Sequence, residues 1–265
     1  MTPQIEALMR TADPDAVWAV GSADSVHTAR PGPPGDWDTP HAAGALTPAL
    51  ALWPVLGTLV AQGELSLHTP LTAYGEPPEA GPHGGATAHQ LLTHAEGPAA
   101  LATLTRLAEH LAGAPLGDCA ATRIWQPLGM ARTRLADGVL HTTLADLARF
   151  LRHLLSAADH PVPRAWTAES LRIRTGELTP SRGLLWHPAP AGVWAHHPPS
   201  GPALWVAPRR DRWAALLPGA ACAPGSRLRT AFREAAFAPG TPADPPPAPS
   251  ADPPPAPAAA AGPLP

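Results

Sequence analysis

The sequence contains no lysine: all 18 of its basic side chains are arginine. A mechanism built on a lysine base or a lysine Schiff base is thereby excluded, and arginine, protonated throughout the physiological range, cannot replace it as a base. The abundance of Ala, Pro and Arg points to a GC-rich coding sequence as an innocent cause of the loss. Tyrosine is almost missing as well, with Tyr74 its sole instance. The two cysteines, Cys119 and Cys222, stand far apart and outside any C-x-x-C or Cys/His spacing, so neither a disulfide framework nor a zinc site is implied, and two buried thiols are expected. Neither sign of charge dominates: the formal net charge is -3 and the pI about 6.5. That balance carries no electrostatic footprint for nucleic acid or anionic lipid. Met1 to Val17 is polar and charged throughout and lacks the apolar run of about 7–15 residues of a signal peptide. The expectation is a cytoplasmic protein with no nucleic-acid partner and no membrane association.

What is present suffices for one core. The chain has 265 residues, 45% of them hydrophobic, enough for a single domain or one domain built of two lobes. From Ala238 to Pro265 the composition changes to 12 prolines in 28 residues, with repeated Pro-Pro-Pro-Ala-Pro and a run of alanines. Such a segment cannot bury apolar area and is expected to be a disordered, partly polyproline-II tail. A Pro-x-x-Pro ligand for an SH3-like module is conceivable there, but the motif arises by chance in this composition.

Ahead of the tail, periodicity predicts a short helix over Thr2–Arg10 and a hairpin made of Ala16–Val20, a Gly21–Asp24 turn and Val26–Thr28. A long apolar stretch from Thr47 to Gln62 reads as a buried helix that Pro54 and Gly57 should kink or weaken. Helical spacing recurs over Pro98–Leu111, Leu116–Trp125 and Thr143–Leu155, the last opening on Thr143-Leu-Ala-Asp146, close to a capping box. Short strands follow at Leu184–His187, Val193–His196, Ala203–Ala207 and Trp213–Leu217, and a closing helix at Ser226–Phe237. Together these predict an α+β sandwich: an antiparallel sheet from residues 14–30 and 183–218, a helical lobe over about 45–175, and a closing helix at 226–237 within a domain spanning 1–237.

Several segments have familiar wording. Ala61-Gln-Gly-Glu-Leu-Ser-Leu-His-Thr-Pro70 resembles a helix end in Glu-Gly-Lys-Leu followed by an Asp-Pro turn. Ala86-Thr-Ala-His-Gln-Leu-Leu-Thr-His94 resembles Ile-Thr-Ile-Arg-His-Leu-Leu-Thr-His, and Ile124-Trp-Gln-Pro-Leu-Gly-Met130-Ala-Arg-Thr133 resembles Phe-x-Pro-Leu-Gly-Met-x-x-Thr. Thr142–Leu151 is similar to Ser-Thr-Ala-x-Asp-Leu-Ala-Arg-Phe-Leu, and Ser200–Asp211 to a final pair of strands. In this order they resemble the serine β-lactamase and penicillin-binding-protein family. The resemblance implies a β-lactamase/transpeptidase-like sandwich with a reduced helical lobe.

The resemblance also implies where the family's acyl-transfer groups would stand. The Ser-x-x-Lys positions, counted back from Gly63, fall on Leu46 and Ala49; a one-residue slip gives Ala45 and Pro48. None of these can attack a carbonyl or take a proton. The Tyr-x-Asn positions fall on Glu96-Gly97-Pro98, while Tyr74 matches a structural turn. The inner-strand motif reads His196-His197-Pro198, followed by Pro199, which has no N–H to give to an oxyanion hole; such a donor is worth about 2.7–4 kcal/mol. The reading is a non-catalytic member without cofactor, holding at most a small molecule or peptide in a residual cleft.

Ser200 near His196 and His197 would form a Ser/His pair only if the strand bent back, and a turn before Gly201 is simpler. Metal binding by His187, His196 and His197, or by His89 and His94, lacks a His-Glu-x-x-His spacing, and core-edge histidines are the plainer reading. The 9 tryptophans read as core, and Arg209, Arg210, Asp211 and Arg212 as a solvated hairpin turn. Two further functions stay open: a weak or altered serine hydrolase, and a scaffold whose Pro-rich tail makes the interactions.

Overall fold

A computed structural model of the chain describes residues 2–30, 37–75, 85–94, 97–178, 180–197, 201–219 and 227–238. Helix α1 (Thr2–Ala12) leads into strands β1 (Val17–Gly21) and β2 (Val26–Arg30). The helical lobe holds α2 (Trp53–Ala61), α3 (Ala88–His94), α4 (Pro98–Ala112), α5 (Leu116–Ala120), α6 (Leu144–Leu155) and α7 (Arg164–Ser170). Strands β3 (His41–Ala42), β4 (Arg134–Ala136) and β5 (Val139–Thr142) form a small sheet in the order β3-β5-β4. Strands β6 (His187–Ala189), β7 (Val193–His196), β8 (Ala203–Ala207) and β9 (Arg212–Leu217) precede the last helix, α8 (Leu228–Ala236). The main sheet runs β2-β1-β9-β8-β7-β6, antiparallel throughout. The chain therefore has the α+β sandwich that its sequence pattern predicts.

Alternation along the strands divides the core in two, because successive side chains point to opposite faces. Val17, Ala19, Leu204, Val206, Trp213 and Ala215 face the helical lobe. Trp18, Val20, Trp205, Ala214 and Leu216 face Ile5 of α1 and Phe232 of α8. With both faces covered, these strands are apolar on both sides, which is why they read as continuous runs.

The approach to α2 is irregular for a reason visible in the sequence. Gly44–Leu46 is a 3₁₀ turn, Pro48–Leu52 a π segment, and α2 proper begins at Trp53 with Pro54 in its first turn. Pro54 has no N–H for the Leu50 carbonyl four residues back. Trp125 Nε1 donates to that carbonyl instead, at 2.8 Å. Gly57 leaves room for the Trp166 ring, whose Cγ would lie 2.6 Å from a Cβ there, and Trp166 Nε1 donates to the Trp53 carbonyl at 3.0 Å. Trp53 Nε1 in turn donates to Ser170 Oγ at 2.9 Å. The expected kink is thus an element repaired by indoles. The window Gly44–Ala61 is long and apolar enough to cross a membrane by composition, but 67% of it is buried inside the fold, as a core helix is.

Three details differ from the sequence reading. The strand expected from Leu184 begins only at His187, because Leu185 adopts φ +61 and breaks the extended path. The turn Arg209–Arg212 is more than solvated: Arg210 Nη1 donates to the Phe237 carbonyl at 2.8 Å, Arg212 Nη1 to the Ala236 carbonyl at 3.2 Å, and the Ala23 N–H to Asp211 Oδ1 at 2.9 Å. It caps α8, whose last carbonyls have no partners within the helix. Helices α3 and α7 and the three-stranded sheet have too few periodic positions to be read from sequence. Thr143 is the N-cap expected, accepting from the Asp146 N–H at 3.1 Å. Asp146 itself is buried and accepts from Thr133 Oγ1 at 2.9 Å, the Arg132 N–H at 3.0 Å and Arg149 Nη1 at 2.7 Å.

Candidate functional site

The meeting of the 3₁₀ turn before α2 with strand β7 is where the two best-placed motif positions come together. Leu46 is 0% exposed, its N–H spent on the Ala43 carbonyl at 2.8 Å. Ala49, in the π segment, is equally buried. Both belong to the continuous apolar cluster between the sheet and the helical lobe. Leucine here is packing, since an aliphatic side chain sealed among aliphatic neighbours offers neither lone pair nor proton.

His196 follows Ala195 on β7, and alternation turns it, like Trp194, toward the lobe. It is 8% exposed; its Nδ1 donates to the Leu185 carbonyl at 2.9 Å, and its ring reaches the backbone of Ala45, one residue before Leu46. The carbonyl accepts only, so the Nδ1–H tautomer is fixed. Burial holds the imidazole below the ordinary histidine value, with the Leu185 carbonyl pulling the other way and His197 adding to the depression. Among the described residues no hydrogen bond joins His196 to a serine or threonine hydroxyl.

The acceptor Leu185 sits in a strained connection. Its φ of +61 is a genuine outlier for a bulky residue, and the segment is held on both sides: Leu185 N donates to the Leu92 carbonyl of α3 at 3.0 Å, and Leu184 N to the Ser170 carbonyl of α7 at 3.1 Å. Gly183 is required there, because a Cβ would run into the Ser170 carbonyl oxygen. Trp186 then stands edge-on both to Trp53, at 5.9 Å, and to His196, at 6.0 Å. Sequence reading takes Leu184–His187 for a strand, because positive φ at a leucine leaves no compositional trace.

Four of the other histidines meet in pairs. His187 stacks on His197 with ring centroids 5.7 Å apart, while Arg182 Nη1 lies 3.4 Å from His187 Nδ1. Burial first, then Arg182, His197 and His196, push His187 down to about 4. His89 pairs with His68 at 4.9 Å. No group of three or more metal-ligating side chains occurs among the described residues. Pro98 opens α4, with Gly97 as its N-cap. Tyr74 is structural: its hydroxyl accepts from the Ser66 N–H at 2.7 Å and lies 3.2 Å from the Ser66 carbonyl. Cys119 is a buried free thiol raised by burial above its ordinary value. Glu96, Pro198, Pro199, Ser200, Cys222 and the segment 239–265 lie outside the described residues.

This sandwich is the fold of serine β-lactamases and penicillin-binding proteins. The chain is similar to a β-lactamase from Mycobacterium bovis, with a TM-score of 0.65 and 22% identity over 81% of this chain and 90% of that one. It is also similar to an octameric penicillin-binding-protein homologue from Pyrococcus abyssi, at TM-score 0.68 and 15% identity over 88% and 75% of the two chains. A D-alanine carboxypeptidase from Burkholderia cenocepacia gives 0.66 and 16% over 87% and 96%. No protein-family model matches the sequence, and no curated protein matches it as a relative.

Proposed function

We propose that this chain is a non-catalytic form of the serine β-lactamase and penicillin-binding-protein fold, kept as a binding or regulatory module. One observation carries the reading: Leu46 is fully buried where that fold's serine is expected, and His196 on the neighbouring strand is held through Nδ1 to the Leu185 carbonyl. Acyl transfer needs a nucleophile with a base in hydrogen-bond reach. Leu46, Ala49 and Pro98 supply neither, and a chain without lysine has no substitute for the lysine base. What this module would bind is a small molecule or peptide.

Turnover of a chromogenic cephalosporin and of a p-nitrophenyl ester by the purified, folded chain tests the proposal. No rate above the buffer and none that scales with protein concentration is expected. A rate proportional to protein that survives repurification would overturn it.

A further inference from the structure

Away from the α2–β7 junction a groove of about 910 Å³ lies between α7, the end of α6 and the turns flanking β7 and β8. Its floor is apolar and aromatic, with Leu171, Ile173 and Trp194, and Ile173 is 55% exposed. Arg164, Arg172 and Arg209 line it too, and among the described residues no carboxylate does. Arg172 is shared with Glu169 at 3.2 Å. No ion pair among the described residues holds Arg164 or Arg209. A wet, cationic rim over an exposed isoleucine and a tryptophan has the character of a surface that something covers.

The chain itself supplies an occupant at the right place. Arg210 and Arg212 hold the Phe237 and Ala236 carbonyls, so the polypeptide leaves α8 at the same turn that gives Pro208 and Arg209 to the groove. The residues that follow, 239–265, are rich in proline and alanine, and their charged side chains are Asp244 and Asp252 alone. Proline-rich segments dock on aromatic-lined grooves at little entropic cost. Along a polyproline-II path Asp244 lies within roughly 22 Å of Phe237. We propose that residues 239–265 dock in this groove in cis, with proline rings on Trp194 and Ile173 and the two aspartates toward Arg164 and Arg209. The groove shares no lining residue with Leu46, Ala49 or His196, so the proposal is independent of the catalytic reading.

Photocrosslinking in the full chain tests it. With Ile173→p-benzoylphenylalanine, irradiation is expected to join position 173 to the proline-rich segment. Trypsin makes the product unambiguous: no basic residue follows Arg233, so Glu234–Pro265 is released whole, and position 173 lies between Arg172 and Arg174. The adduct should form with a yield independent of protein concentration. The yield should fall roughly fivefold on combining Arg164→Glu with Arg209→Glu. A comparable fall is expected without these substitutions in about 1 M salt, where screening acts over about 3 Å. Absence of this adduct, adducts confined to other segments, or a yield that rises with concentration, as a second copy would give, overturns the proposal.

Discussion

Around the α2–β7 junction single side chains behave as core. Restoring a serine by Leu46→Ser would place a hydroxyl among aliphatic groups and delete a buried isobutyl group, so a loss of about 2–5 kcal/mol in stability is expected. No hydrolysis should appear, because Ala49 stands where that fold's lysine base is expected and the chain contains no lysine. Urea unfolding and cephalosporin turnover check the two halves. Histidine titration gives a second prediction. His187 titrates at about 4 in the folded chain against 6.5 when unperturbed, so between those values the unfolded chain binds more protons. Stability should therefore fall as pH drops from about 6.5 toward 4 and level out above that window. His196, His153 and His41, all depressed by burial, act with the same sign. Thermal melts across this range should show the slope, and His187→Gln should flatten it.

At the level of elements, α2 and its irregular lead-in depend on partners far away in the chain. Trp125→Phe keeps the bulk of a ring but leaves the Leu50 carbonyl without its donor, at a cost of about 1–3 kcal/mol. Gly57→Ala gains helix propensity and loses the contact face for Trp166; since the Trp166 ring is fixed by its bond to the Trp53 carbonyl, the clash should prevail and the variant unfold at lower urea. Pro54 and Gly57 announce a weak helix to anyone reading the sequence. The indoles that repair it arrive from α7 and the turn after α5, and no local pattern reports that. Strands β7, β8 and β9 were legible because their apolar runs are bounded by Pro, Gly and charge. The Gly183–Trp186 connection was not, since hydrogen bonds to Leu92 and Ser170 dictate its shape.

On the scale of the molecule, the order of short motifs from Leu59 to Asp211 pointed to the sandwich, and the antiparallel sheet between two covered faces is that sandwich. Counting residues from Gly63 selected Leu46, and the inner strand selected His196. In the fold Leu46 is buried core and His196 binds the Leu185 carbonyl. Their neighbours were hidden, because which carbonyl a buried histidine meets depends on the packing of α3, α7 and β7 at once. Absence of lysine, by contrast, was readable directly and bears most heavily on chemistry.

Incubation of the folded chain with a fluorescent penicillin, followed by intact mass, tests the central claim of a fold without a nucleophile. The account predicts the unmodified mass at every time point. A stoichiometric penicilloyl adduct mapped to a serine or threonine would contradict it.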